Sequence, residues 1–348
     1  MERHQITIAR EYRGMSQTEL ARKVVGLSQS NLSNYEKGLI DLSTEVKERI
    51  MSALGFPSTF LNEDSYNVLE NANYRRKKSV KAEERRRIDG TVALIAYWFD
   101  WLSEMFELPD YQLGEFDLSE GYSAQEVARQ IRRKCRLGNE PFTDICTTLE
   151  SNGVFVFPWN CGFDKFDGVS LITSKGNPLI IINSKMSADR KRFTIAHELG
   201  HILLHECVDT FVPDCRDKEK EANTFASELL YPESLAFSQL TGLTLSKLPA
   251  LKGYWKISMS AILEKARLLG CVNDSKYVQI RTEFSRRGWL KNEPYPVLID
   301  DSGVVDKMVK IAKSELGYTD TTMRRTASLP DDFLIGEVKS NVLRVAFR

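Results

Sequence analysis

Three of the chain's four histidines, His197, His201 and His205, fall within nine residues, inside the largely apolar run 193–205. The spacing predicts one amphipathic helix over that run. His197 and His201 are four apart, so one turn stacks both imidazoles on the same face, with Glu198 beside the first. Burying two imidazoles and a carboxylate without partners is costly. The fold must therefore close a second element over this helix, and a metal ion is the partner that best satisfies the face. His205 lies eight residues beyond His197, which is ~12 Å along a helix at ~1.5 Å per residue. Ligands converging on one ion at ~2 Å cannot span that distance, so His205 is expected to support the site or the fold without binding metal. A third ligand has to come from elsewhere, and the helical run 219–232 offers Glu219, Glu221 and Glu228. Glu221 and Glu228, seven apart, lie near one face and Glu219 is offset; a solvated acidic face is the alternative on spacing alone.

The rest of the chain is ordinary for a globular protein of 348 residues, with 42% hydrophobic and 28% charged residues. That length favours two or three domains. Balanced charge, 48 Lys and Arg against 48 Asp and Glu, excludes a polybasic nucleic-acid coat. The longest apolar run, Thr91–Phe99, stops at Asp100, short of a membrane span. The opening MERHQITIAR carries charges where a secretory signal needs an apolar stretch. Six cysteines (Cys135, Cys146, Cys161, Cys207, Cys215 and Cys271) are scattered singly. They suit the reduced thiols of a cytoplasmic protein better than a disulfide framework.

Turn signals divide the first forty residues into short helices. Ile6, Ala9 and Tyr12 share one face of the first. Ser16 with Glu19 forms a capping box that opens the second, and Ser28 caps a third that ends before Gly38. Two short helices around a glycine turn make a helix-turn-helix pattern. Residues 75–87 then hold eight basic residues against two acidic ones, a local net charge of +6, best read as a solvated basic face with phosphate contact as the alternative. A helix rich in aromatic residues is expected from about residue 82 to 107. From Ser123 the pattern turns mixed, with a helix over Ser123–Arg136, another through Leu149, and strands at Val154–Phe157, Val169–Thr173 and Leu179–Asn183. Beyond Leu245 the chain reads as helical again, with Trp255, Ile262, Leu263 and Trp289 as core.

Two resemblances add to this. The stretch 8–38, IAREYRGMSQTELARKVVGLSQSNLSNYEKG, is similar to the phage-repressor-like (XRE, Cro/CI-type) helix-turn-helix family. The resemblance implies double-stranded DNA as a partner, with Gln17 directed to phosphate and Gln29 and Ser30 to base edges. Asn31, Ser33 and Asn34 extend that surface, and Lys37 is placed for a backbone phosphate. Arg10 and Glu36 match positions that form an interhelical ion pair in that family. One departure is a turn longer by one residue between Ala21 and Gly26, which is expected to tilt the third helix; a protein-docking role is the alternative to DNA reading. Residues 1–50 carry eight basic and seven acidic residues, so nonspecific attraction to DNA is weak.

The stretch TIAHELGHILLH, followed by EKEANTFASELLYP, resembles the ImmA/IrrE family of metallopeptidases, extending back to Gln125–Val156. H-E-x-x-H is the zinc metalloprotease signature. The resemblance implies that His197, His201 and Glu221, the glutamate before Ala-Asn, bind Zn²⁺, with Glu198 as the catalytic carboxylate. Tyr231 departs from the methionine usual in that family. Together these readings give an α+β, predominantly helical protein in four parts. They are an all-α helix-turn-helix domain (1–70), a basic helical connector (71–118), a zincin-like metallopeptidase core with a small sheet (119–245) and a helical C-terminal region (246–348). The implied function is a cytoplasmic zinc endopeptidase of narrow specificity that cleaves a repressor-like or antitoxin-like regulator. A non-cleaving transcriptional sensor and a toxin–antitoxin component that docks a partner are the alternatives. A homodimer is compatible with the two half-sites such readers commonly use, though no residue of the sequence requires it.

Overall fold

The computed structural model describes residues 2–63, 73–76 (by backbone alone), 81–162, 166–206, 217–290, 292–298 and 303–335. Cys207, Cys215, Lys77 and Lys78 lie outside the described residues. The fold is α+β and predominantly helical, and among the described residues no helix is long and apolar enough to cross a membrane. The described cysteines Cys135, Cys146, Cys161 and Cys271 form no disulfide.

Four helices build the N-terminal module: α1 (Glu2–Tyr12), α2 (Gln17–Lys23), α3 (Gln29–Glu36) and α4 (Thr44–Leu54). The expected capping box forms, Ser16 accepting from the Glu19 amide while the Glu19 carboxylate accepts from the Ser16 amide. Ser28 caps α3 by accepting from the Asn31 amide. The extra turn residue is absorbed outside both helices. Val24 leaves α2 in an extended conformation and is buried, Val25 is 80% exposed, and Gly26 turns the chain at φ 83°.

In the segment read as a helical connector, α5 (Ala82–Ser103) is a central element of the first core. Its second half, Val92 to Leu102, is apolar almost all round and buried, as a helix enclosed on several sides must be. Helix α1 crosses it at Gly90, where a Cβ would stand 2.1 Å from the Tyr12 amide nitrogen. Only glycine admits so close a backbone.

Beside α5 lies a sheet of four strands, β1 (Asn73–Arg76), β2 (Phe155–Trp159), β3 (Phe166–Ile172) and β4 (Pro178–Asn183), in the order β1-β3-β4-β2. β3 and β4 form an antiparallel hairpin with Ser170 opposite Ile180, β2 runs parallel to β4, and β1 pairs antiparallel with β3. Alternation along β2 and β4 sends side chains to two separate cores, and β3 contributes to the first. Phe155, Phe157, Val169, Leu171, Leu179 and Ile181 join the N-terminal module and α5. Val156, Ile180 and Ile182 face the other way, onto a group of helices that includes the one carrying His197 and His201. Those helices are α6 (Ala124–Lys134), α7 (Ile145–Glu150), α8 (Ala188–His201), α9 (Lys218–Leu230), α10 (Glu233–Leu240), α11 (Leu248–Trp255), α12 (Met259–Leu268) and α13 (Asp274–Arg286).

The C-terminal region divides between the two cores. Helices α11–α13 extend the second, whereas α14 (Val304–Ser314) and α15 (Asp320–Thr326) return to the first. There Phe333 packs 6.1 Å from Trp98, the Tyr97 hydroxyl donates to the Ala327 carbonyl at 2.9 Å, and Arg13 pairs with Asp332 at 3.1 Å. The buried Glu150 carboxylate accepts from the Gly303 amide, and burial raises its pKa to about 7 despite that bond.

Replacing Gly90 with alanine is expected to destabilise the protein by about 2 kcal/mol or more, as overpacking against backbone does. Gly253→Ala, in an open position on α11, should be neutral or gain up to about 1 kcal/mol from helix propensity. Calorimetric melting of both variants checks the pair. A second prediction concerns Lys252, buried between Asp189 and Glu293 at 2.9 Å from each. Lys252→Met should cost about 3 kcal/mol at neutral pH by leaving buried carboxylates unpaired. Burial alone would raise the Asp189 pKa, but hydrogen bonds from Ser187 and Lys252 outweigh it and hold it below 3.8. That contribution is present above the unfolded pKa and is lost as pH falls through the folded one. Wild type and variant should therefore converge in acid, as denaturant melts across pH 3 to 7 would read (roughly the carboxylate range).

Candidate metal centre

Helix α8 is fixed at its start before it delivers any histidine. Ser187 donates to Asp189 at 2.5 Å, and Arg190 reaches back to Asp167 on β3 at 2.6 and 2.7 Å. One turn further on, Gly168 of β3 lets the strand lie against the helix. A Cβ there would meet the Thr194 side chain at 2.6 Å and a Glu198 oxygen at 3.4 Å. Ser170, two residues along and on the same face of β3, donates its hydroxyl to Glu198 Oε2 at 3.0 Å. The carboxylate is thus oriented by the strand above it while being fully buried, as is His197.

Helix α9 closes over the other side. Its crossing with α8 is set at Gly200, where a Cβ would stand 3.0 Å from Phe225 and 3.2 Å from the Ala222 Cα. From that crossing, residues 219 and 223, four apart, project on one face of α9 toward the imidazoles. Glu219 places one oxygen 3.5 Å from His197 Nε2 and the other 3.4 Å from His201 Nε2, and Asn223 Oδ1 lies 3.1 Å from His197 Nδ1. The two Nε2 atoms are 3.1 Å apart. Donors held at ~2.0–2.1 Å on a tetrahedral zinc ion stand about 3.3 Å from one another. The separations of this His–His–Glu group match that, each of its three residues offering one atom able to ligate. Glu219 is about half exposed at 53%, so the group opens to solvent on its side.

Glu221, the residue the family resemblance pointed to, goes elsewhere. Its Oε2 lies 2.9 Å from His205 Nε2, and His205 Nδ1 lies 3.0 Å from His201 Nδ1. The offset of two residues from Glu219 turns Glu221 about 200° around α9, off the face that meets His197. Among the described residues the converging ligand atoms belong to His197, His201 and Glu219, and His205 Nδ1 faces His201 Nδ1. The expected single helix over 193–205 ends as an α-helix at His201 and widens into a π-helical turn at Ile202–Glu206, which carries His205. Burial pulls the His205 pKa down to about 4, against the opposing pull of Glu221. Glu228 is buried and bonded to Arg129 at 2.9 Å and to the Glu233 amide at 2.9 Å, well occupied by the fold. Tyr231 is also buried, its ring 4.4 Å from Trp255 and its hydroxyl donating to Gln239 at 2.9 Å. Sequence reasoning missed Ser170 and Asn223 and set Glu219 aside. The available signal was the E-x-x-x-N spacing at 219 and 223, which repeats the four-residue interval of the two histidines.

On the N-terminal module, Gln29, Ser30 and Asn31 are exposed at the start of α3, Ser33 and Asn34 are half-buried, and Lys37 is exposed at its end. Arg10 and Glu36 form the expected ion pair, at 2.7 and 3.0 Å. Gln17 is half-buried and donates to Glu36 at 2.7 Å, and Gln29 donates to Gln17 at 3.0 Å. A string of hydrogen bonds therefore runs from the module's interior to the first exposed residue of α3.

Comparison with known proteins places these two regions separately. Residues 150–267 match the IrrE N-terminal-like domain, and residues 3–61 match a helix-turn-helix domain. The chain is 37% identical over 115 residues to the metallopeptidase ImmA of Bacillus subtilis (strain 168), covering 31% of this chain and 60% of that one. It is 38% identical over 91 residues to the uncharacterized immunity region protein 2 of Bacillus phage phi105, covering 22% of this chain and 52% of that one. The chain thus spans between half and two thirds of the length of these curated relatives. It carries an ImmA/IrrE-like metallopeptidase-family domain together with an N-terminal helix-turn-helix domain.

Proposed function

We propose that this protein is a zinc-dependent endopeptidase of narrow specificity that cleaves a protein regulator, repressor-like or antitoxin-like, and engages double-stranded DNA through its N-terminal module. The observation that carries the reading is the convergence of His197, His201 and Glu219 beside a buried, strand-oriented Glu198. In this reading His197 Nε2, His201 Nε2 and one Glu219 oxygen hold the ion. Glu219 takes the place that the family resemblance gave to Glu221. A zinc ion held there would lower the pKa of a bound water and polarise the scissile carbonyl. Glu198 accepts the proton of the attacking water on its carboxylate and delivers it to the leaving amine nitrogen, so that water and an amide become a carboxylic acid and an amine. Ser170 keeps Oε2 of that carboxylate in place through its hydroxyl. Asn223 takes up His197 Nδ1 and leaves Nε2 of that ring for the metal.

A pure metal or ligand sensor needs the ligands but no general base, so the retained Glu198 and its Ser170 support favour the enzyme. The phage relative's name, an immunity region protein, supports a regulatory substrate over a digestive role. On the DNA side, Gln29, Ser30 and Asn31 read base edges, Ser33 and Asn34 extend that surface, and Gln17 and Lys37 meet phosphate. The Glu36–Gln17–Gln29 string holds the first of these readers in position before DNA arrives.

Glu198→Gln should retain zinc at wild-type stoichiometry and lose cleavage by 10³-fold or more (roughly the scale of general-base loss), whereas His197→Ala and Glu219→Gln should lose both. Metal analysis of each variant, with peptide-terminus mapping after co-expression with neighbouring genes, reads the two properties separately. A zinc-free Glu198→Gln protein contradicts the division of roles, and no metal-dependent cut in any neighbour or in the chain itself favours the sensor. For the DNA module, Gln29→Ala with Asn31→Ala should abolish a salt-sensitive mobility shift on the protein's own promoter. An unchanged shift would point to partner docking instead.

A further inference from the structure

Glu221 and His205 are both ionisable, both adjoin the metal centre, and neither has a part in the chemistry above. His205 has a fully buried side chain in the π-helical turn, and Glu221 is 22% exposed on α9. Their hydrogen bonds form an ordered chain: His201 Nδ1 to His205 Nδ1 at 3.0 Å, then His205 Nε2 to Glu221 Oε2 at 2.9 Å. We propose that His205 and Glu221 are a positioning dyad that fixes the tautomer and ring orientation of His201, so that Glu221 serves the metal centre through an imidazole and not as a ligand. The inference rests on the metal-site reading given under Proposed function.

The protons can be placed by elimination. An ionised carboxylate only accepts, so His205 Nε2 must carry hydrogen. A neutral imidazole has one N–H, which leaves His205 Nδ1 as a bare acceptor. Among the described residues the donor facing it is His201 Nδ1, which then carries the proton of that ring. His201 Nε2 is left with its lone pair, aimed at the position between His197 Nε2 (3.1 Å) and Glu219 Oε1 (3.4 Å). Both histidines are thus set in the form that ligates through Nε2, by different means. Asn223 supplies a neutral amide oxygen to His197, whereas His201 feels a negative charge relayed through one ring, which raises its basicity toward a cation. The imidazole of His205 stands between Glu221 and His201, each of its nitrogens facing one of them. This also explains why a glutamate so near the site is turned away from it.

The test uses the full-length protein and zinc alone. Metal-free wild type, Glu221→Gln, His205→Ala, His205→Gln and Glu219→Gln are titrated with zinc against a chromophoric chelator, with circular-dichroism melts of each metal-free form as a folding check. The dyad predicts that Glu221→Gln and His205→Ala each bind one zinc with about 10- to 100-fold lower affinity, the usual effect of losing an outer hydrogen-bond partner. The double variant should be no weaker than His205→Ala, because Glu221 acts only through that ring. His205→Gln, whose amide oxygen can accept from His201, should recover part of the loss. Glu219→Gln should lose stoichiometric binding. Because the chain has four histidines, selective ¹⁵N-histidine NMR of the wild type can read the tautomers directly. The expected result is Nε2–H for His205 and Nδ1–H for His201, even if a variant fails to fold. Wild-type affinity in both dyad variants, or the opposite tautomers, overturns the dyad. Loss of stoichiometric zinc in Glu221→Gln makes Glu221 a ligand and also overturns it, leaving the metal site standing. A wild type that binds no zinc overturns both readings.

Discussion

The close approach of helix α8 to its neighbours governs everything the site can do. At Gly168 a strand presses on one side of the helix, and at Gly200 a second helix presses on the other. Either Cβ would force the neighbour back by several tenths of an ångström or more, and the groups at stake work over hydrogen-bond distances of 3.0 to 3.5 Å. Ser170 reaches Glu198 because β3 lies so low, and Glu219 reaches both imidazoles because α9 crosses so near. The buried polar groups are costly unless satisfied together, so packing and chemistry here are one constraint.

Much of this was legible in the chain, and the reason is periodicity. A four-residue interval between His197 and His201 survives any plausible packing, as do the cap signals Ser16 and Ser28, each of which caps its helix. The three strand candidates in 154–183 appear with ends shifted by up to three residues. Choosing between Glu219 and Glu221 was different in kind. It turns on the rotation of α9 about its own axis, which Ala222 against Gly200 decides. No one-dimensional pattern contains that contact. Helix rise argued against His205 as a ligand, whereas its pairing with Glu221 depended on the same rotation.

The connector shows the opposite limit. A basic run followed by an apolar helix reads naturally as a tether, since charge is visible in sequence and the number of neighbours is not. Trp98 and Phe99 are aromatic residues that could line a groove or fill a centre, and what decides is the arrival of α14 and α15 from more than 200 residues away. The sheet then divides the interior into two, with Leu179 and Ile181 on the reader's side and Ile180 and Ile182 on the side of the histidines. A single strand, β4, touches both interiors through alternate residues.

The fit of Tyr12 over Gly90 bears on how such a protein can be assembled from parts. In sequence the helix-turn-helix module looks like a cassette that could be exchanged at a boundary near residue 70. In space their inner face is a wall of the same interior that holds α5, the sheet and the last described helices. A substitute reader would have to bring a helix whose backbone seats against Gly90 and an arginine that meets Asp332. Splicing at the apparent seam would instead leave each half with an exposed apolar surface and no lid for it. The N-terminal module is therefore interchangeable as text but not as masonry.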